Sequence, residues 1–218
     1  RHDTSRELDP HLHTHCVVLN ATHDPTEARW KALHPAGMYR AHRFATNLYR
    51  HELAKGLLGL GYELEAHAHG FEIKGVPASV VARFSKRHRQ IDEEAAARLA
   101  AGESTGNVKS LREQIAHGNR RRKIKNAVAD TLRFKWADQM PPQELIALTA
   151  LRKSVQPRPV PKGDAAACIG WAEQHLFERR SAVHEHELLA AALAHAQGRA
   201  VMLAELQADV ARRDYIRE

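Results

Sequence analysis

Only two cysteines, Cys16 and Cys168, occur in the 218 residues. They stand far apart, so no disulfide framework can be read from the sequence. Both fit a reducing compartment as small buried residues. Aromatic residues make up only 6%, and Ala-rich stretches are frequent, which leans toward helix. No apolar run reaches membrane-spanning length, which argues against membrane insertion. No signal-peptide pattern is read at the opening, where residue 1 is Arg and RHDTSRELDP is polar. With no initiator Met at residue 1, the chain is expected to be a fragment of something longer. No Gly-Lys-Ser/Thr phosphate loop occurs anywhere, so no P-loop ATPase is visible.

What is present is a basic and histidine-rich chain. Lys and Arg number 33 against 26 Asp and Glu, for a net charge of +7, and there are 16 histidines. Hydrophobic residues at 43% are enough for a packed core. The positive balance raises the weight of a nucleic-acid or anionic-membrane partner. Two basic clusters stand out. Lys86, Arg87, His88 and Arg89 form one, and Arg120, Arg121, Arg122, Lys123 and Lys125 the other. Such side chains can track phosphates, or they can be an ordinary solvated helix face.

Patterning divides the chain. Residues 1–34 read as β-rich, with β-branched residues after the Asp9-Pro10 turn and RWKALH as a returning strand. Residues 38–60 carry Ala45, Leu48, Tyr49, Leu53, Leu57 and Leu60 at helical spacing. YELEA and FEIKG read as a hairpin, and Pro77 fits the first turn of a helix carrying Val80, Val81 and Phe84. Residues 90–152 are helical and charged, with Ser104 or Thr105 as a candidate cap and a break at Pro141-Pro142. The stretch from Gln156 to Gly163, with three prolines, reads as a linker. Residues 164–218 hold three short helical patterns, expected as a separate small module. The fold class expected is α+β, a partial antiparallel sheet followed by a helical C-terminal half.

The sharpest local signal is His11-Leu12-His13-Thr14-His15. Alternate side chains on a strand share a face, so these three imidazoles point one way. Val17 and Leu19 extend that face, which is expected to dip into the core. Imidazole is a common ligand for divalent metals. Three in a row on one strand span too far for one ion, roughly 13 Å from His11 to His15 by strand rise. A third ligand has to come from elsewhere, and His2 is a candidate because residues 6–10 can fold the chain back. The other reading is an exposed polar face. Paired histidines at this spacing also occur in barrel amidohydrolases, but this chain turns helical instead.

The run His2-Asp3-Thr4-Ser5-Arg6, followed by Asp9-Pro10-His11-Leu12-His13-Thr14-His15-Cys16-Val17-Val18-Leu19-Asn20, resembles the metal motif of the MobF class of conjugative relaxases. These are the TrwC/TraI-like HUH endonucleases. The resemblance continues in order through RWKALH, NLYRHELAKGLLGLGYELE and GFEIKGVPASVVARFSKRHRQI, and so covers most of residues 1–92. It implies an HUH-type antiparallel sheet and a divalent cation (Mg, Mn or Zn) held by His2, His13 and His15. His11 falls where the family commonly has Gln. The implied activity is site- and strand-specific nicking of single-stranded DNA at a transfer origin by attack of a tyrosine, in the bacterial cytoplasm. Implied partners are that DNA, an N-terminal relaxase segment and the conjugation machinery. The family's nucleophilic tyrosines lie upstream of the metal motif, and Tyr39, Tyr49, Tyr62 and Tyr215 do not match them. Tyr49 and Tyr62 read as core or strand residues. The chain is thus expected to be the C-terminal part of a relaxase domain over residues 1–155. Residues 164–218 resemble the helical start of the helicase portion that follows. An alternative is a catalytically silent remnant that binds metal and single-stranded DNA. A third reading, an unrelated metal-dependent hydrolase, needs a water-activating carboxylate that the sequence does not nominate.

Overall fold

The computed structural model describes residues 2–67, 70–102, 107–118 and 129–216. The fold is α+β, with short antiparallel hairpins and ten helices among the described residues. It separates into two compact units.

Unit 1 joins Arg1–Val18 to Gly75–Lys153. It opens with strands β1 (His2–Thr4) and β2 (Pro10–His13), antiparallel, with His2 opposite His13 and Thr4 opposite Pro10. The connecting turn closes on itself. Ser5 N–H donates to the Asp9 carbonyl at 2.9 Å, and the Ser5 hydroxyl accepts from Glu7 N and Asp9 N at 3.2 and 3.1 Å. Helices α3 (Ala78–Arg83), α4 (Lys86–Ala100), α5 (Val108–Gly118), α6 (Ala129–Asp138) and α7 (Pro142–Ser154) follow. Pro77 precedes α3 in an extended conformation rather than occupying its first turn. Ala95 of α4 packs with Leu111 and Ile115 of α5, all buried. The candidate caps Ser104 and Thr105 lie outside the described residues.

Unit 2 joins Leu19–Lys74 to Ser154–Glu218. Strands β3 (Thr22–Asp24) and β4 (Arg29–Lys31) form one hairpin, and β5 (Leu64–His67) and β6 (Gly70–Ile73) another. The returning strand in RWKALH therefore pairs with Thr22–Asp24 and not with the histidine strand. Helices α1 (Ala36–Arg40) and α2 (His42–Gly59) lie between the hairpins, and α8 (Ala165–Phe177), α9 (Glu185–His195) and α10 (Leu203–Arg212) complete the unit. Asp164 caps α8 by accepting from Ala166 N at 2.9 Å. Glu187 and Glu205 reach back to the backbone N–H groups of His184 and Met202, at 2.9 and 2.7 Å, and secure the starts of α9 and α10.

The core of this unit is Cys168, Ile169, Leu188, Leu189, Leu193 and Leu206 with their buried alanine and valine neighbours, and Phe44 and Leu48 of α2 pack against it. Residues 164–218 are thus helical as expected, but they share a core with α2 instead of standing apart. The proline-rich stretch is pinned as well, since Arg158 N–H donates to the Gly59 carbonyl and Ala200 N–H to the Pro161 carbonyl.

Three further expectations are corrected. Regular strand ends at His13, and Val17 and Leu19 are 84% and 77% exposed, so that face does not enter a core. Cys16 is exposed while Cys168 is buried. Tyr49 is 62% exposed on α2, and Tyr62 is half-buried in the short segment between the Gly61 turn and β5. Among the described residues no helix is long and apolar enough to cross a membrane.

Candidate metal centre and basic surface

The hairpin of β1 and β2 brings three imidazoles into one cluster. The His2 and His13 rings stack at 5.4 Å, His2 meets His15 edge-on at 4.7 Å, and His13 and His15 lie 5.0 Å apart. The alternation read in the sequence holds for His11 and His13, whose rings stack at 4.6 Å. His15 lies beyond the strand, yet its ring still turns back to His13.

The nitrogen atoms are more informative than the rings. His13 Nδ1 lies 2.8 Å from the His11 carbonyl oxygen. A carbonyl only accepts, so Nδ1 carries the proton, and in the neutral ring Nε2 is left with its lone pair. That Nε2 lies 3.1 Å from Nε2 of His15. Two imidazole nitrogens this close suit either a shared proton or a shared cation, because metal–nitrogen bonds near 2.0–2.1 Å place neighbouring ligand atoms about 3.3 Å apart. Orientation of a ligand histidine by a backbone carbonyl on its other nitrogen is a common arrangement at metal centres. Among the described residues, no three His, Cys, Asp or Glu side chains already surround a common ion position. The three imidazoles fit a divalent transition metal in donor chemistry, with the His2 ring beside those of His13 and His15. Loss of hydration, and then the nearby His13, hold the His11 imidazole below the usual histidine range.

The turn that sets this hairpin is held from outside. Asp9 is 2% exposed, and its Oδ2 accepts the backbone N–H of Lys86 at 3.0 Å. Its Oδ1 lies 2.9 Å from the Lys86 ammonium, a charge contact without hydrogen-bond alignment. Trp136 Nε1–H donates to the Leu8 carbonyl at 2.7 Å. Leu8 itself has φ +59, a conformation that non-glycine residues rarely adopt. In the sequence, Asp9-Pro10 registers as a turn. Nothing marks the Asp9 side chain as an anchor, because its partner lies far along the chain.

The first basic cluster opens α4, and it is largely occupied internally. Lys86 contacts Asp9 and donates to Gln139 at 3.0 Å, and Arg87 donates to the Ala116 carbonyl at 3.2 Å. His88 sits between Asp92 and Arg112, at 2.9 Å from each. Arg89 is more than half exposed and only 3.9 Å-paired with Glu93. Arg120, Arg121, Arg122, Lys123 and Lys125 lie outside the described residues. All four tyrosines belong to unit 2. Tyr39 is 77% exposed on α1. Tyr215 donates to Glu173, and burial followed by that bond pushes its phenol well above the ordinary range.

An α+β chain with a convergent histidine hairpin and a basic helix start is the class defined so far, and comparison narrows it. The family model of the TrwC relaxase matches residues 1–142. A 103-residue stretch is 41% identical to the multifunctional conjugation protein TraI of Escherichia coli, covering 42% of this chain and 6% of that protein. The conjugative relaxase TrwC in complex with OriT DNA, in a metal-free structure, aligns with a TM-score of 0.55 at 36% identity, over 67% of this chain and 50% of the other. A metal-bound structure of TrwC with OriT DNA aligns with a TM-score of 0.53 at 32% identity, over 72% and 50%. The chain belongs to the TrwC relaxase family. It spans about half the length of these structural relatives and a small part of TraI.

Proposed function

We propose that this chain is the metal-bearing part of a relaxase domain that nicks single-stranded DNA at a transfer origin and carries the strand in conjugation, in the bacterial cytoplasm. The observation that carries the reading is the approach of His13 Nε2 to His15 Nε2 at 3.1 Å, with His13 oriented by the His11 carbonyl and the His2 ring alongside. His2, His13 and His15 would hold a divalent cation (Mg, Mn or Zn). When bound, such an ion offsets charge developing on a scissile phosphate. The metal-bound and DNA-bound TrwC relatives support this assignment.

The chain's own residues orient the ligand set and contribute positive charge for DNA phosphates. Arg89 is the residue of the first cluster best placed for that, with Lys86 and Arg87 committed inward. The second cluster, from Arg120 to Lys125, is assigned the same role on charge alone. The nucleophilic tyrosine is assigned to the relaxase segment preceding the metal motif, because Tyr215 is bound to Glu173 with a raised pKa, and Tyr39 and Tyr49 lie on open helix surface. Residues 164–218 are assigned to the start of the helicase region.

The test uses a labelled single-stranded origin oligonucleotide with Mg²⁺ or Mn²⁺. The chain alone is expected to bind it with steep salt dependence and to form no covalent adduct. An adduct abolished by Tyr39→Phe or Tyr49→Phe contradicts the assignment. An adduct that appears only when the upstream segment is added supports the enzymatic reading. Its persistent absence, with metal and DNA binding intact, favours a silent remnant.

A further inference from the structure

We propose that Asp9 is a positioning residue for the histidine centre, acting through Lys86 to fix the hairpin that holds His2 opposite His13. The proposal rests on the metal reading above. A hairpin of two short strands is marginal by itself, and this one has an irregular register between His2 and Thr4. Something beyond the ladder has to set the separation of the ligands. His2 and His13 are joined by a turn whose last residue is Asp9, and among the described residues that carboxylate is the deepest charged group in the unit, 2% exposed.

A buried carboxylate is costly unless it is paired. Here the pairing comes from one residue twice, since the Lys86 backbone N–H reaches Oδ2 at 3.0 Å and the ammonium lies 2.9 Å from Oδ1. The backbone contact sits on the first residue of α4, where unsatisfied N–H groups and the helix dipole favour a negative charge. Lys86 is braced in turn by Gln139 at 3.0 Å. On the other side of the turn, Trp136 holds the Leu8 carbonyl at 2.7 Å, next to the strained Leu8 backbone. The turn is therefore gripped by α4 and α6, and the strands leaving it carry His2 one way and His13 the other. Releasing Asp9 frees the turn and lets the ligand separation drift. Lys86 becomes part of the metal centre's support and not a DNA contact.

The experiment titrates the full chain with Co²⁺, whose visible bands report ligand geometry. Asp9→Ala is expected to weaken Co²⁺ binding by about 10-fold or more, the range seen when outer partners of metal ligands are removed, and to alter the band shape. Lys86→Ala keeps the backbone bond and is expected to fall between, with Lys86→Arg close to the unchanged chain. Glu144→Gln breaks the Arg83 pair of the same unit and serves as a destabilised control that keeps normal Co²⁺ binding. Unchanged binding in Asp9→Ala, or an equal loss in Glu144→Gln, overturns the proposal. If the unmodified chain shows no Co²⁺ bands, the metal reading fails, and the positioning is decided on the metal-free chain by ¹⁵N imidazole NMR. Loss of the Nδ1–H form of His13 in Asp9→Ala but not in Glu144→Gln supports it, and retention in both overturns it.

Discussion

His51 Nε2 donates to the Val201 carbonyl at 2.7 Å, with the imidazole fully buried. The bond ties the middle of α2 to the residue leading into α10, 150 positions later. Asn47 Nδ2–H makes a further polar link from α2, to the Ala190 carbonyl at 2.8 Å, and the Lys55 ammonium reaches the same Val201 oxygen at 3.5 Å. His51→Ala removes the shorter of the two donors to a buried carbonyl and leaves a void. The expected loss is about 2–3 kcal/mol, read as a lower urea midpoint. A change of a few tenths contradicts the packing described.

Glu187 contributes to the acid limb of stability in unit 2. The Arg180 guanidinium and then the His184 backbone N–H hold its carboxyl down to about 2. The folded pKa is below the unfolded one, near 4.5. The resulting stabilisation is therefore fully present above about pH 4.5 and is lost as pH falls toward 2. Because Arg180 is 46% exposed, solvent screening limits the contribution to about 1 kcal/mol. Glu187→Gln should lower the melting temperature at neutral pH and flatten its pH dependence between 4.5 and 2. Parallel curves for both proteins contradict this.

The stretch from Gln156 to Gly163 should resist proteolysis. The sequence marks it as a linker, yet its backbone is bonded to Gly59 and Ala200, and the helices beyond it share a core with Phe44 and Leu48. Early tryptic fragments, read by mass spectrometry, should not include an accumulating 164–218 piece. First cleavage after Lys162 would restore the separate module that composition suggests.

This difference illustrates what local pattern can carry. The helices α2, α8, α9 and α10 and the β5–β6 hairpin were legible because periodicity and turn residues are local signals. The same holds for the shared face of His11 and His13. Docking was not legible. Half-buried Leu48 and exposed Tyr49 both fit the helical stripe, and only the partner helices decide which is covered. Val17 and Leu19 misled because alternation assumes a strand, and the strand ends at His13. His2 was a candidate because the chain could fold back at residues 6–10, and family resemblance singled it out, but its register opposite His13 is visible only in three dimensions. Asp9 was missed because its partner Lys86 lies 77 positions away.

Calorimetric titration of the full chain with Mn²⁺ or Zn²⁺ reads whether His2, His13 and His15 hold one divalent cation. The account predicts a single site that disappears in the His13→Ala/His15→Ala double variant and weakens strongly in His2→Ala. His11→Ala should change the affinity far less, because His11 supplies its backbone carbonyl and not its ring. Unchanged stoichiometry and affinity in the double variant would contradict the account.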